Sequence, residues 1–329
     1  MLRLTTETAV LRLAQPFRIS GYVFETAEVL VVTLDDGAHR GRGEGAGAYY
    51  LGDDLAKMQA DVEAARAAIE AGPGREELRR VMPAGGARNA VDAALWELEA
   101  KRAGVPVWRL AGLESEPRPI VTTFTIGADA PEVMAETARG YAQAKSIKVK
   151  LTGDLPLDLK RIAAVRAARP DVWLGVDGNQ GFAKADLLPL VEGLLPHRVS
   201  LLEQPLARGR EADLEGFLSP IPIAGDESLL TLADVAGAKG RFDVVNIKLD
   251  KCGGLTEGLL MAVEARRLGL GVMVGTMVAT SLGTAPGFVL GQIADLVDLD
   301  GPMLLAEDRT PGVVYQNGTL YAGPEVWGG

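Results

Sequence analysis

The sequence predicts an α/β protein: a modified (β/α)8-type (TIM) barrel carrying an α+β capping domain. Three observations predict it. Between about residues 118 and 305, short β-branched runs alternate with helical runs, giving eight candidate strands. Strict alternation implies a parallel sheet, and eight such units favour a closed barrel over an open sheet. The flanking regions have a different texture. Residues 1–115 are expected to form the capping domain, 116–305 the barrel, and 306–329 a tail that rejoins the first region.

Taken in order, AEVLVVTLDDGAHRGRGEG reads as a hairpin: an apolar strand, an Asp-Gly turn at Asp36 and Gly37, and a Gly-rich return. Helices are expected in DLAKMQADVEAARAAIEAG and in RNAVDAALWELEAKRAG. The second puts Val91, Leu95 and Leu98 on one face and Gly104 at its stop. The barrel units follow. IVTTFTI precedes PEVMAETARGYAQA, SIKVKL precedes LDLKRIAAVRAARP, and WLGVDG precedes KADLLPLVEGLL. SLLEQ precedes READLEGFLS, IPIAGD precedes TLADVAGAKG, and DVVNIKL precedes TEGLLMAVEARRLG. GVMVGT and DLVDLD complete the series. Little helical sequence follows DLVDLD, so the last unit should be truncated. The tail resumes a β pattern in GVVYQNGTLYAG.

Composition narrows the function. The chain has 329 residues, 47% hydrophobic and 24% charged, ordinary values for a globular enzyme. A net charge of −10 argues against nucleic acid or an acidic membrane surface as the main partner. One cysteine, Cys252, cannot form an internal disulfide. The opening MLRLTTETAVLRLAQPF lacks the apolar core and cleavage site of a signal peptide, and no stretch is long enough for a membrane span. A cytoplasmic enzyme is expected, acting on a small molecule and assembled as a homo-oligomer.

Charged residues recur near the ends of the apolar runs: Lys148 and Lys150, Asp177, Glu203, Asp226, Lys248, then Asp298 and Asp300. Side chains alternate faces along a strand, so Lys148 and Lys150 share one face and Ile147 and Val149 the other. Residues at strand C-termini line the top of a barrel, where such enzymes carry out their chemistry. Taken singly, each element also reads as ordinary structure. IKVK could be a half-exposed strand, Asp177-Gly178 a turn, and Asp298 a cap. Recurrence at successive strand ends favours one shared site.

Asp177, Glu203 and Asp226 are 26 and 23 residues apart, about one β/α unit each. Their carboxylates should converge from adjacent strands and repel one another unless a cation is bound. All-oxygen ligands favour Mg2+, one ion per chain. With two histidines and one cysteine, structural zinc is not supported.

The order Lys-x-Lys, Asp, Glu, Asp, then Lys in NIKLDKCGG resembles the muconate-lactonizing subgroup of the enolase superfamily. Within it, Asp-Leu-Asp-Gly at 298–301 is similar to the Asp-x-Asp motif of the dipeptide epimerases, including L-Ala-D/L-Glu epimerases. MPAGGARNAVDAALWELEAKRAG and LTEGLLMAVEARRLG extend the resemblance over nearly the whole chain. It implies Mg2+-dependent 1,1-proton transfer at the α-carbon of a dipeptide's C-terminal residue. Lys150 and Lys248, from strands two and six, would serve opposite hands. Lys148 would place a positive charge beside the substrate carboxylate and favour a neutral amine at Lys150. Asp298 and Asp300 would bind the substrate's ammonium group; the plain alternative is a pair of exposed acids at a strand end.

One departure bears on specificity. Alanyl-glutamate epimerases carry arginine in the loop after the first strand. Here the stretch is RISGYVFETAEV, with Phe24 at the matching position and Tyr22 nearby. An apolar loop cannot pair with a buried carboxylate, so a neutral or apolar second residue is expected unless Arg18 or Arg40 substitutes. Three other readings stand beside this one. The first is another superfamily reaction: cycloisomerisation, o-succinylbenzoate synthesis or N-acylamino acid racemisation. The second is a nucleotide-binding turn at Gly41, Gly43 and Ala46, resting on a lone glycine pattern. The third is a barrel with no catalytic role.

Overall fold

A computed structural model describes all of residues 1–329. Strands β1 (Arg3–Ile19), β2 (Tyr22–Asp35) and β3 (Arg40–Ala46) form an antiparallel sheet in that order. The β2–β3 turn is built by Asp36, whose side chain accepts from the N–H groups of Ala38 and His39 at 2.9 and 2.7 Å. Four helices follow: α1 (Leu55–Glu70), α2 (Arg75–Val81), α3 (Gly86–Ala103) and α4 (Val107–Leu110). The Val91, Leu95 and Leu98 face of α3 is buried, and the helix stops at Gly104, which is left-handed with φ 63°.

The glycines of β3 have a packing role. A Cβ on Gly41 would lie 1.9 Å from Ala94 O, one on Gly43 2.0 Å from Ala90 O, and one on Gly45 2.0 Å from Gly86 O. Three alternate positions lie against α3, and only glycine lets strand and helix approach so closely. The nucleotide reading is thereby corrected: the pattern lies along a paired strand, not at a strand-to-helix turn opening a phosphate cradle.

After the short β4 (Ile120–Val121) the barrel begins. Its elements are β5 (Thr123–Ile126), α5 (Pro131–Gly140), β6 (Ser146–Lys150), α6 (Leu155–Ala168), β7 (Trp173–Asp177) and α7 (Leu187–Leu194). They continue with β8 (Leu201–Glu203), β9 (Ile223–Gly225), α8 (Leu232–Ala238), β10 (Val244–Lys248) and α9 (Leu249–Cys252). The last are α10 (Leu255–Arg267), β11 (Gly271–Gly275), α11 (Ser281–Gly291) and β12 (Leu296–Asp298). Strands β5 to β12 form one eight-stranded sheet in sequence order, all parallel. The outward-facing Ile147, Val149, Leu174 and Val176 are fully buried with Ile162 and Val165 of α6. Each such burial contributes about 1.5–3 kcal/mol. No helix is long and apolar enough to cross a membrane.

The seam between β12 and β5 closes differently from the other joints. Leu299 N donates to Thr122 Oγ1 at 2.9 Å, Thr125 N donates to Asp300 at 2.6 Å, and the Thr123 hydroxyl donates to Asp298. Side chains stand in for a backbone ladder there.

Two expectations are corrected. READLEGFLS forms only one 3-10 turn, Glu211–Leu214, because Gly209 and Gly216 flank it at φ 88° and 75° and Leu214 is its one buried residue. RISGYVFETAEV is not a loop: β1 and β2 pair to their tips, with Phe17 opposite Phe24 and Ile19 opposite Tyr22. The tail strands β13 (Val314–Gln316) and β14 (Thr319–Tyr321) pair with each other and with β4 in a small antiparallel sheet. The tail meets the cap at both its ends: Ala306 N donates to Arg12 O at 2.9 Å and Arg309 pairs with Glu44 at 3.4 Å, while Val107 N donates to Gly328 O at 2.8 Å and Arg42 donates to Val326 O at 3.0 Å. After β12 the chain makes one 3-10 turn, Gly301–Leu304, in place of a helix.

The cap is fixed over the barrel mouth at several points. Glu44 accepts from Thr280 N at 2.7 Å and from its hydroxyl at 2.5 Å. Asp250 accepts from Ala46 N at 2.9 Å and from Asn89 at 2.7 Å. At the hairpin tip, Ala128 N donates to Arg18 O at 2.8 Å, and Arg18 pairs with Asp129 at 3.0 Å.

Candidate active site

The strand registers assemble the charged residues in rows. Lys150, Asp177 and Glu203 are in register on β6, β7 and β8. Lys248, Gly275 and Asp298 form a second row on β10, β11 and β12. A Cβ at Gly275 would stand 3.1 Å from Lys248 Cε, so glycine there leaves room for the lysine. Strands β6 and β10 lie four positions apart in an eight-stranded sheet, so Lys150 and Lys248 enter from opposite walls.

Carboxylate oxygens of Asp177, Glu203 and Asp226 lie within 4.8 Å of one another, all buried. Each lysine is tied to this group. Lys150 Nζ is 2.7 Å from Asp177 Oδ2, and Lys248 Nζ is 2.7 Å from Asp226 Oδ2. Lys148 lies 3.1 Å from Glu203 and 3.8 Å from Asp177, and also pairs with Asp298. Asn246 donates to Glu203 Oε1 at 2.6 Å, and Asn179 N donates to Asp177 Oδ1 at 2.8 Å.

Burial opposes the charge on Lys148, but Asp298, Glu203 and Asp177 outweigh it and hold the ammonium protonated. Lys248 behaves likewise: burial lowers it, while Asp226, Glu203 and Glu227 raise it further. Burial and then Asp177 raise Glu203. In Asp226, Lys248 and Lys251 overcome burial and keep the carboxylate ionised. Burial, with Asp226 and Asp177 beside it, pushes Glu227 up to about 8. Asp300 is pushed up to about 6 by burial and by Asp298.

A cation fits this donor set. Six carboxyl groups (177, 203, 226, 227, 298, 300) face four lysines (148, 150, 248, 251), and the acids outnumber the cations enough that Glu203, Glu227 and Asp300 are pushed toward their protonated forms. Glu227 Oε2, Asn179 Oδ1 and Asn246 Oδ1 are buried acceptors without a donor. A hydrated divalent ion among the three converging carboxylates would supply both the charge and the missing donors.

Above the site lies a cavity of about 500 Å3, a size suited to a small ligand. Lys148, Lys150, Lys248, Asp298 and Asp300 line its floor. The cap supplies the roof through Phe17, Ile19, Phe24, Tyr49 and Tyr50. Tyr22 does not line the cavity; it is 47% exposed and stacks on Phe24 with centroids 5.9 Å apart. Arg18 and Arg40 are likewise outside it, engaged with Asp129 and Asp35. The cavity's only cationic side chains are the three floor lysines, and Glu28, Asp53 and Asp54 add acid to the wall.

Sequence reasoning passed over several residues of this site. Asn246 shares a strand face with Lys248 by its two-residue offset, but its bond to Glu203 has no sign in the sequence. Asn179 and Glu227, each close to a carboxylate of the triad, carried a similar signal. Lys251 sits in α9 and sends its ammonium back to Asp226, with Nζ 2.5 Å from Oδ1; a strand pattern gives no sign of it.

Comparison with known proteins agrees over the whole chain. Residues 132–324 match the enolase C-terminal domain-like family, and residues 2–112 match the mandelate racemase / muconate lactonizing enzyme N-terminal domain. The chain is 39% identical over 308 residues to the L-Ala-D/L-Glu epimerase of Escherichia coli (strain K12), covering 93% of this chain and 95% of that one. It superposes with TM-score 0.96 and 41% identity, over 100% of both chains, on an enolase family member from Agrobacterium tumefaciens with homology to dipeptide epimerases, solved with sodium and L-Ala-L-Glu. A dipeptide epimerase from Enterococcus faecalis V583, complexed with Mg and L-Leu-L-Tyr, superposes with TM-score 0.90 and 26% identity over 97% and 96% of the two chains.

Proposed function

The chain belongs to the mandelate racemase / muconate lactonizing enzyme family of the enolase superfamily, and on that premise we propose that it is a Mg2+-dependent dipeptide epimerase. The reaction is 1,1-proton transfer at the α-carbon of the dipeptide's C-terminal residue. One observation carries this reading: two lysines enter from opposite barrel walls on either side of a buried carboxylate triad.

Asp177, Glu203 and Asp226 would hold the ion. When bound, Mg2+ supplies positive charge to the substrate carboxylate, where negative charge builds as the α-proton leaves. Lys148, held charged by its neighbours, adds a fixed ammonium on the same side. Lys150 takes the α-proton from one face, and Lys248, protonated at rest, returns one to the other; the roles exchange for the opposite hand. The capping roof excludes water from this transfer. Asp300 and Asp298 face the substrate's ammonium end.

The second residue is neutral or apolar. The support is the aromatic roof and the lack of any cation in the wall to meet a side-chain carboxylate. The alternative is an L-Ala-D/L-Glu epimerase proper, the name carried by the Escherichia coli relative above; the Agrobacterium tumefaciens structure holds L-Ala-L-Glu. A second reaction, N-acylamino acid racemisation, is favoured by two contacts: Asp298 is already engaged by Lys148 and by Thr123, leaving less of it for an ammonium group. An Asp298→Ala variant with full activity would support that reading. A cytoplasmic setting is supported by the single cysteine, buried and unpaired. A homo-oligomer is the expected assembly, to be read by light scattering.

The test is incubation with Mg2+ and pools of L,L-dipeptides in D2O, followed by mass spectrometry. Deuterium at the C-terminal α-carbon of apolar dipeptides is expected. Exchange confined to acidic second residues overturns the specificity, and no exchange in any dipeptide overturns the function.

A further inference from the structure

Lys251 is a buried cation that the reaction does not use. Its side chain is 0% exposed, and it does not line the cavity, so it cannot touch substrate. Its three N–H bonds are all committed: to Asp226 Oδ1 at 2.5 Å, to Asp226 O at 2.6 Å and to Asn246 O at 3.0 Å. An ammonium group has only three donors, so its geometry is fully determined.

The location gives this contact its significance. The β9–β10 ladder contains two residue pairs, Val244↔Ala224 and Val245↔Gly225. It ends one residue before Asp226 on one strand and one before Asn246 on the other. The functional residues of both strands therefore lie beyond the ladder. Lys251 bonds the backbone carbonyls of Asp226 and Asn246, replacing the missing rungs. It also fixes which oxygen Asp226 shows to Lys248: Oδ1 is taken by Lys251, and Oδ2 meets Lys248 at 2.7 Å.

We propose that Lys251 is a positioning residue that sets Asp226 against Lys248, and so tunes both ion affinity and one of the two proton-transfer faces. The second half of this rests on the epimerase reading; the first does not. The Lys150 side does not depend on Lys251: its partner Asp177 is paired on both sides in a continuous ladder, and the backbone N–H of Asn179 donates to its Oδ1 at 2.8 Å. The consequence is an asymmetry: loss of Lys251 disturbs the Lys248 face and spares the Lys150 face.

The experiment uses Lys251→Met, checked for cooperative melting, with two readouts. Mg2+ affinity by calorimetry should fall about 10–100-fold, as for loss of a residue that orients a metal ligand. Single-turnover α-deuteration of each epimer should fall at least about tenfold more for the epimer served by Lys248, identified as the one whose exchange Lys248→Ala abolishes. Unchanged Mg2+ affinity, or equal loss on both epimers, overturns the proposal. Should the methionine variant not fold, Lys251→Arg, which keeps charge and donors, is read the same way; the same one-sided loss is expected, and a symmetric loss again overturns it. If the wild type exchanges no dipeptide, the epimerase reading fails, and the Mg2+ titrations still decide the role of Lys251 toward Asp226.

Discussion

Asn246 holds Glu203 by a 2.6 Å hydrogen bond from Nδ2 to Oε1, across two strands, while its own Oδ1 has no donor. Glu203 is fully buried, and without this bond only Lys148, 3.1 Å from Oε2, holds it toward Asp177 and Asp226. Asn246→Ala should therefore weaken Mg2+ binding about 10–100-fold with the fold intact. Calorimetry with circular dichroism checks both parts.

Lys150→Ala and Lys248→Ala should each abolish exchange from one epimer and leave exchange from the other. Interconversion needs both amines and should fall by about 10²–10⁴ in either variant. Proton NMR in D2O, started separately from each epimer, reads the two faces. Loss of exchange from both epimers in each variant contradicts the two-base arrangement.

Phe24→Arg should redirect specificity. Phe24 lines the roof where no cation is present, and a guanidinium there would gain a charge-assisted bond to an acidic second residue. Such a bond is worth about 1.5–3 kcal/mol. The kcat/KM ratio of L-Ala-L-Glu over L-Ala-L-Phe should rise about tenfold or more. Competition between the two dipeptides in one reaction gives the ratio directly.

Gly43→Ala should destabilise by about 1–3 kcal/mol or more, because its Cβ would meet the backbone of α3 rather than a movable side chain. Gly140→Ala is the control. A Cβ there meets nothing within 4 Å and its φ is not positive, so the change should be neutral or stabilising by up to about 1 kcal/mol. Urea melts of the two variants test the contrast.

Asp92 is buried beneath Thr256, and burial pushes its carboxyl up from 3.8 to about 6. The folded state thus holds this proton more tightly than the unfolded chain. The stabilisation is fully present below pH 3.8 and is lost as pH rises through about 6. Asp92→Asn has no such loss. Its stability relative to wild type should rise by about 3 kcal/mol across that window, measurable by urea titration between pH 4 and 7.

How far the sequence revealed the molecule depended on local pattern. All eight barrel strands were legible because each is an apolar run bounded by turn residues. The carboxylates and lysines were legible because they recur near strand ends. READLEGFLS misled because its charges have helical spacing, yet it has too few apolar residues to hold a helix on the barrel. RISGYVFETAEV hid a hairpin because its strands run beyond the end of β3, and only Ile19 among the tip residues is buried, so no apolar alternation marks them. Tyr22 and Phe24 share a strand face, so alternation does not separate them; Tyr22 sits at the hairpin tip, beyond the cavity that Phe24 lines. Lys251 was beyond reach, since its reach back to Asp226 depends on the one-turn helix that follows β10.

The seam of the barrel couples recognition to architecture. Asp298 and Asp300, which line the cavity and are proposed to face the ligand's ammonium end, are also the side chains that fasten the last strand to the first. A lineage cannot retune its taste for amino termini at these two positions without loosening the hoop itself. Diversification is thereby pushed onto the roof, where a changed side chain alters what is admitted and leaves the closure alone.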